Sequence, residues 1–140
     1  MIRYLLDTDH LTLQEYGHAP LKARLAAHSP SGLAASLVSA EELLRGRLGI
    51  LSRTLKSDAR VRAYAKLIQT IQFVHTVAIV PFDQACEDQY QQLLSLRPRP
   101  GTQDLKIAAT ALAHNLIVVT RNLRDFGRIP GLILEDWSIP

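Results

Sequence analysis

Five short apolar runs, at residues 2–6, 33–38, 77–80, 116–119 and 132–134, recur along this chain, and most of what separates them has helical character. Runs of this length that stay apolar throughout, rather than alternating, read as strands buried on both faces. Strands of that kind alternating with helices form a parallel sheet covered on each side by helices. The fold class expected is therefore α/β: a three-layer α/β/α sandwich around a parallel sheet of about five strands. At 140 residues the chain fits one domain, 1–140, with enough buried surface to be stable without staples.

The intervening segments carry recognisable punctuation. A helical stretch over 11–27 is interrupted near Gly17 and Pro20. Ser39-Ala40-Glu41-Glu42 has the S-x-x-E form of a capping box and predicts a helix start, with an end near Gly46 or Gly49. Over 58–74, Val61, Tyr64, Ala65, Ile68 and Ile71 follow the three-and-four spacing of an amphipathic helix. A further helix spans 83–96 and is stopped by the loop 97–102, which holds two prolines and a glycine. Thr102 is the expected N-cap of the next helix, 104–114, and Asn115 suits the left-handed residue that ends it.

Several function classes are excluded early. The lone Cys86 rules out an internal disulfide framework and a multi-cysteine zinc site, and reads as a small buried hydrophobe. The N-terminus reaches Asp7 too soon for a secretory signal, and no uncharged run approaches the roughly 20 residues of a membrane span, so a soluble, cytoplasmic protein is expected. His10, His18, His28, His75 and His114 include no H-E-x-x-H pair and suit surface or helix-end roles; a G-x-S-x-G elbow is also lacking. Net charge is +3, with Arg45, Arg47, Arg53, Lys56, Arg60, Arg62 and Lys66 clustered against one acid, Asp58. Such a cluster suits either a phosphate-bearing or acidic partner, or a plain solvated helix face.

Chemistry concentrates in Asp7, Glu42, Asp104 and Asp125, each beside a transition from apolar run to helix. In a parallel sheet those transitions gather at the carboxyl edge of the strands, where ligands bind. Singly, each acid has a structural role available. Asp7 can cap the following helix, Glu42 can close the capping box with Ser39, Asp104 can sit on a helix dipole, and Asp125 can belong to a turn capped by Asn122. Together they would repel one another unless a cation neutralised them, and an all-carboxylate set suits Mg²⁺ or Mn²⁺. Glu41 is an alternative to Glu42.

These residues carry a resemblance. Leu5-Leu6-Asp7-Thr8-Asp9, the run from Ser36 to Gly46 containing Glu41-Glu42-Leu43-Leu44-Arg45-Gly46, the run from Asp104 to Ala111, and Val118-Val119-Thr120-Arg121-Asn122-Leu123-Arg124-Asp125-Phe126 are similar to the four signature regions of PIN-domain ribonucleases. Their order and intervals resemble the VapC-type toxins, and the stretch from Ile129 to Trp137 resembles the last strand and tail of that group. The resemblance implies that Asp7, Glu42, Asp104 and Asp125 bind Mg²⁺ or Mn²⁺, and that Thr120 and Asn122 support the pocket by hydrogen bonds. It further implies hydrolysis of RNA by metal-activated water, a cognate VapB-like antitoxin, and a homodimer with both pockets on one groove. Lys106 stands where the family often has an apolar residue.

Two other readings compete. Asp7-Thr8-Asp9 after a strand is similar to the nucleophilic pair of haloacid-dehalogenase-type phosphatases, although Leu11 occupies the position where those carry Thr or Val. A catalytically inert PIN-like module that binds RNA or protein is the non-enzymatic alternative.

Overall fold

The computed structural model describes residues 1–53, 55–96, 98 and 100–140; Arg97 and Arg99 of the expected proline-rich loop lie outside the described residues. Among the described residues there are five strands: β1 Tyr4–Leu6, β2 Leu33–Ser36, β3 Ile79–Val80, β4 Ile117–Val119 and β5 Leu134–Glu135, the last sharing only Leu134 with the expected run 132–134. All pairings are parallel, in the order β3-β2-β1-β4-β5.

Successive strand residues point to opposite faces, and the chain uses this to build two cores. Leu5, Ala34 and Val118 enter one, with Val38, Leu105, Ile107, Ala108 and Phe126. Leu6, Ala35 and Val119 enter the other, with Leu11, Leu21 and Trp137. Because each strand is apolar on both sides, helices must cover both faces, and the expected three-layer α/β/α arrangement results. Cys86 is fully buried, as its sequence context suggests.

Among the described residues, seven α-helices connect the strands: α1 Thr8–Glu15, α2 Ala19–Ala26, α3 Leu37–Leu51, α4 Ser57–Thr76, α5 Gln84–Ser95, α6 Thr102–His114 and the short α7 Leu123–Phe126. The break around Gly17 and the left-handed Asn115 (φ 56°) fall where expected. Other details differ. The cap of α3 is Ser36, whose Oγ accepts from Ser39 N at 3.0 Å, so Ser39 lies inside the helix and Glu42 is not its capping partner. Helix α3 also continues through Gly46 and Gly49 to Leu51. Two interior glycines cost about 1 kcal/mol each, and packing along α4 offsets this. Gly101, not Thr102, is the N-cap of α6.

The spacing over 58–74 marks a helix but not its buried side. Ala63 and Thr70 are the buried residues of α4, whereas Val61, Tyr64, Ile68 and Ile71 are all at least half exposed. Polar contacts decide this orientation. Arg47 of α3 donates through Nε to Thr70 Oγ1 (3.0 Å) and through its NH2 to the Tyr16 hydroxyl (2.9 Å), while Thr70 Oγ1 donates to Glu15 Oε1 (2.9 Å). One member of the basic cluster is thus a bridge between α1, α3 and α4. Among the described residues, no helix is long and apolar enough to cross a membrane.

Replacing Ser36 by alanine is expected to lower stability by about 1 kcal/mol through loss of the α3 cap, measured as a shift in the urea midpoint. No shift would mean that α3 starts elsewhere.

Candidate metal centre

The chain moves from β1 to β2 and β3 on one side and then returns to β4 on the other, which opens a crevice at the carboxyl ends of β1 and β4. Asp7 and Thr120 stand there. Asp7 follows β1 and caps α1, its Oδ1 accepting from His10 N at 3.3 Å. Its Oδ2 accepts from Thr120 Oγ1 at 2.6 Å, and Thr120 Oγ1 in turn accepts from Asn122 N at 2.9 Å. Asn122 caps α7: its Oδ1 accepts from Asp125 N (3.4 Å) and its Nδ2 donates to Asp125 Oδ2 (3.2 Å). A continuous relay therefore runs from Asp7 through Thr120 and Asn122 to Asp125. The capping roles of Asp7 and the Asn122 turn exist, and both leave carboxylate lone pairs available.

The other two acids come from helices. Glu42, one turn into α3, accepts from Thr8 Oγ1 at 2.6 Å. Asp104 sits in the first turn of α6, half-buried, and its pKa is raised first by burial and then by the negative charges of Glu42, Asp125 and Asp9. Charges carried by α3, α7 and α1 therefore lie near enough to Asp104 on α6 to act on it. Glu41 points elsewhere: it is exposed, pairs with Arg45 and accepts from Gln103 Nε2 at 3.2 Å. Lys106 Nζ donates to Gln103 Oε1 (3.2 Å) and lies 5.7 Å from the centre of the Tyr90 ring.

Burial pushes Asp7, only 5% exposed, up to about 7, with the nearby Asp9 charge acting in the same direction against the hydrogen bonds from His10 and Thr120. Asp9 moves the opposite way: burial is outweighed by its bonds to His10 and Asp7, and its pKa is lowered.

Asp9 and His10 complete a cluster with Asp7 that sequence reading passed over; ligand atoms of the three lie within 4.8 Å of one another. His10 is fully buried, contrary to the surface or helix-end role expected of it. Its Nδ1 is 2.8 Å from Asp9 Oδ1 and its Nε2 accepts from Trp137 N at 3.2 Å. Burial opposes a charged ring, but the bonds with Asp7 and Asp9 outweigh it and push the pKa up to about 9. The Trp137 N–H acts in the opposite direction: it can donate only to an unprotonated Nε2, so this contact belongs to the neutral ring with its proton on Nδ1 and is given up when the ring takes a second proton below about pH 9. The available signal was Asp-Thr-Asp-His directly after a buried strand.

The donor set suits a hard divalent cation. Every carboxylate in the cleft offers oxygen, sulfur is absent from it, and among the described residues no lysine or arginine pairs with Asp7, Glu42, Asp104 or Asp125.

A family model described as the PIN domain matches residues 4–132. The chain belongs to the PIN-domain family. Within that family its relatives include Ribonuclease VapC2 of Rickettsia felis, 38% identical over 70 residues that make up 47% of this chain and 52% of the relative. The tRNA(fMet)-specific endonuclease VapC of Salmonella typhimurium is 36% identical over 69 residues, again 52% of the relative, so these two alignments span about half the relatives' length. Ribonuclease VapC1 of Haemophilus influenzae strain R2866 is 27% identical across 96% of this chain and 98% of its own. Among solved structures, DNA-bound VapBC from Salmonella typhimurium superposes with a TM-score of 0.76 at 27% identity, covering 98% of this chain and 99% of that one. VapBC2 from Rickettsia felis bound to promoter DNA gives 0.72 at 28%, with the same coverage.

Proposed function

We propose that this chain is a metal-dependent endoribonuclease, the toxin of a VapBC-type toxin–antitoxin pair, with Asp7, Glu42, Asp104 and Asp125 as its metal-binding acids. The observation that carries the reading is the hydrogen-bonded relay from Asp7 through Thr120 and Asn122 to Asp125 at the carboxyl ends of β1 and β4, with Glu42 tied to the start of α1 by Thr8 and with acid charges felt at the half-buried Asp104. A cleft of that charge would repel an RNA phosphate by itself, and gains a use only when a cation joins it. The names of the relatives, ribonuclease and endonuclease VapC, support the same reaction class.

Bound Mg²⁺ or Mn²⁺ would supply charge neutralisation at the scissile phosphate and acidify a water for attack. The chain's own residues do the positioning. Thr120 and the His10 amide fix both oxygens of Asp7, so its carboxylate plane is set before any ligand arrives. Thr8 steers Glu42 toward the cleft, and Asn122 does the same for Asp125. Arg121 and Arg124, exposed beside Asn122 and Asp125 in sequence, offer charges for the flanking RNA backbone. Asp9 is tied to His10 and to Arg121 N at 3.3 Å, which disfavours the role a phosphatase would give the second acid of its pair.

The same proposal includes a VapB-like antitoxin, a homodimer and a cytoplasmic setting. Support for the antitoxin comes from the VapBC complexes among the structural relatives, and from the exposed apolar residues Val61, Tyr64, Ile68 and Ile71 on α4.

The decisive experiment is sequencing of RNA ends after induction of the wild type and of Asp104→Asn. New 5′ ends in the wild type alone are expected; identical ends in both would reject the assignment of this cleft.

Metal affinity should depend on pH. Below its raised pKa of about 7, Asp7 holds a proton that a cation must displace, whereas above it the site is already ionised. Mn²⁺ affinity measured by calorimetry is therefore expected to rise from pH 5 to pH 7, by up to about tenfold per pH unit for one displaced proton, and then level off. No binding at any pH would favour the inert-module reading.

A further inference from the structure

Asp83, Cys86 and His114 form a second cluster of mixed donors, set apart from the acid cleft. Asp83 precedes α5 and caps it, its Oδ1 accepting from Cys86 N at 3.0 Å. Its Oδ2 lies 3.2 Å from Nε2 of His114, the last residue of α6. The Cys86 thiol sits beneath them, 3.7 Å from the Pro81 carbonyl oxygen, and one ligand atom from each of the three residues lies within 4.8 Å of the others. Asp104 is ten residues away along α6, about 15 Å at the helical rise.

We propose that Asp83, Cys86 and His114 hold a zinc-class divalent cation that clips the start of α5 to the end of α6. One carboxylate oxygen, one thiolate and one imidazole nitrogen make a donor set that borderline cations favour and that Mg²⁺ does not. In a tetrahedral zinc site, neighbouring ligand atoms stand roughly 3.3 to 3.6 Å apart, and the Asp83–His114 pair, at 3.2 Å, is just short of that spacing. Burial completes the case. Cys86 is closed off by the protein, while the side chains of Asp83 and His114 are 43% and 34% exposed, so the cation would have three protein ligands on one side and water on the other. Binding releases the thiol proton to solvent, and His114 coordinates through Nε2 with its proton on Nδ1.

The competing reading is a simple ion pair between Asp83 and His114 above a buried thiol that donates to the Pro81 carbonyl oxygen. Cobalt separates the two cases. Cys86 is the chain's single cysteine, so a sulfur-to-cobalt charge-transfer band can arise only here; the oxygen-lined acid cleft cannot produce it. Titration of the full chain with Co²⁺ is expected to develop that band at one equivalent, and Zn²⁺ to abolish it. Cys86→Ser should lack the band, and Asp83→Asn and His114→Gln should weaken Co²⁺ affinity by about tenfold or more. Asparagine is as good a cap as aspartate, and His114 is at the surface, so both variants retain the fold. Two outcomes overturn the proposal: no band in folded wild type at saturating Co²⁺, or a band of unchanged affinity in both Asp83→Asn and His114→Gln. Either would leave the ribonuclease reading untouched, because that reading uses none of these residues.

Discussion

Asp7→Asn is expected to reduce RNA cleavage by about 10³-fold or more while leaving the protein folded. That loss corresponds to roughly 4 kcal/mol of transition-state stabilisation, the scale expected when a cation can no longer be held against the phosphate. The fold survives because asparagine keeps the capping function: its carbonyl oxygen can accept from His10 N, and its amide can face Thr120 Oγ1, whose hydroxyl proton is free to turn. Ionising a carboxyl whose pKa burial has raised to about 7 costs the folded state free energy at higher pH. The sign follows from linkage: a raised folded pKa contributes stability that is fully present below the unfolded value of about 3.9 and is lost as pH rises through 7. In metal-free buffer at pH 8 the variant should therefore be at least as stable as the wild type, and Mn²⁺ should raise the melting temperature of the wild type alone. Parallel RNA cleavage and thermal-melting measurements check both halves. Undiminished cleavage by the variant would remove Asp7 from the site.

Trp137→Ala should produce the largest loss of stability, about 3–5 kcal/mol by the usual cost of truncating a buried aromatic residue. Trp137 is fully buried, stacks on His28 with ring centroids 4.2 Å apart, and meets Tyr4 at 4.9 Å. It fills the second core beside Leu6, Leu11, Leu21, Ala35 and Val119. Typical domains have only about 5–15 kcal/mol in total, so the variant should unfold at much lower urea. The contact to His10 comes from the Trp137 backbone, and the acids themselves are untouched. Whatever fraction remains folded should keep its metal-dependent cut. A loss below about 1 kcal/mol would show that the site collapses to fill the cavity.

The sheet was legible because each strand is apolar on both sides, which leaves few alternatives to a covered parallel layer. Boundaries were harder. Leu37 and Val38 continue the apolar run of β2 yet begin α3, because Ser36 supplies a cap that the later Ser39 only imitates. Gly46 and Gly49 looked like stops, but tertiary packing carried α3 past them. On α4 the three-and-four pattern could not identify the buried side, since the bridge from Arg47 to Thr70 and Glu15 is polar and long-range. Asp7 and Asp125 were expected after apolar runs and do follow β1 and β4, whereas Asp104 follows helix α5 and a loop rather than a strand, and Glu42 lies within α3. What the sequence could not show was orientation: its spacing to Gly46 favours Glu42 over Glu41, but the bond that holds Glu42 comes from Thr8, and His10 is met by Trp137, 127 positions away.

The bond from Thr120 to Asp7 joins positions 113 residues apart, and it has a consequence in time as well as in space. A growing polypeptide that has not yet released β4 and α7 from the ribosome holds Asp7, Glu42 and Asp104, but neither the hydroxyl that orients the first acid nor the fourth acid itself. On the proposed function, the nuclease activity of such a chain is expected to switch on late in synthesis, when the sheet closes beside β1.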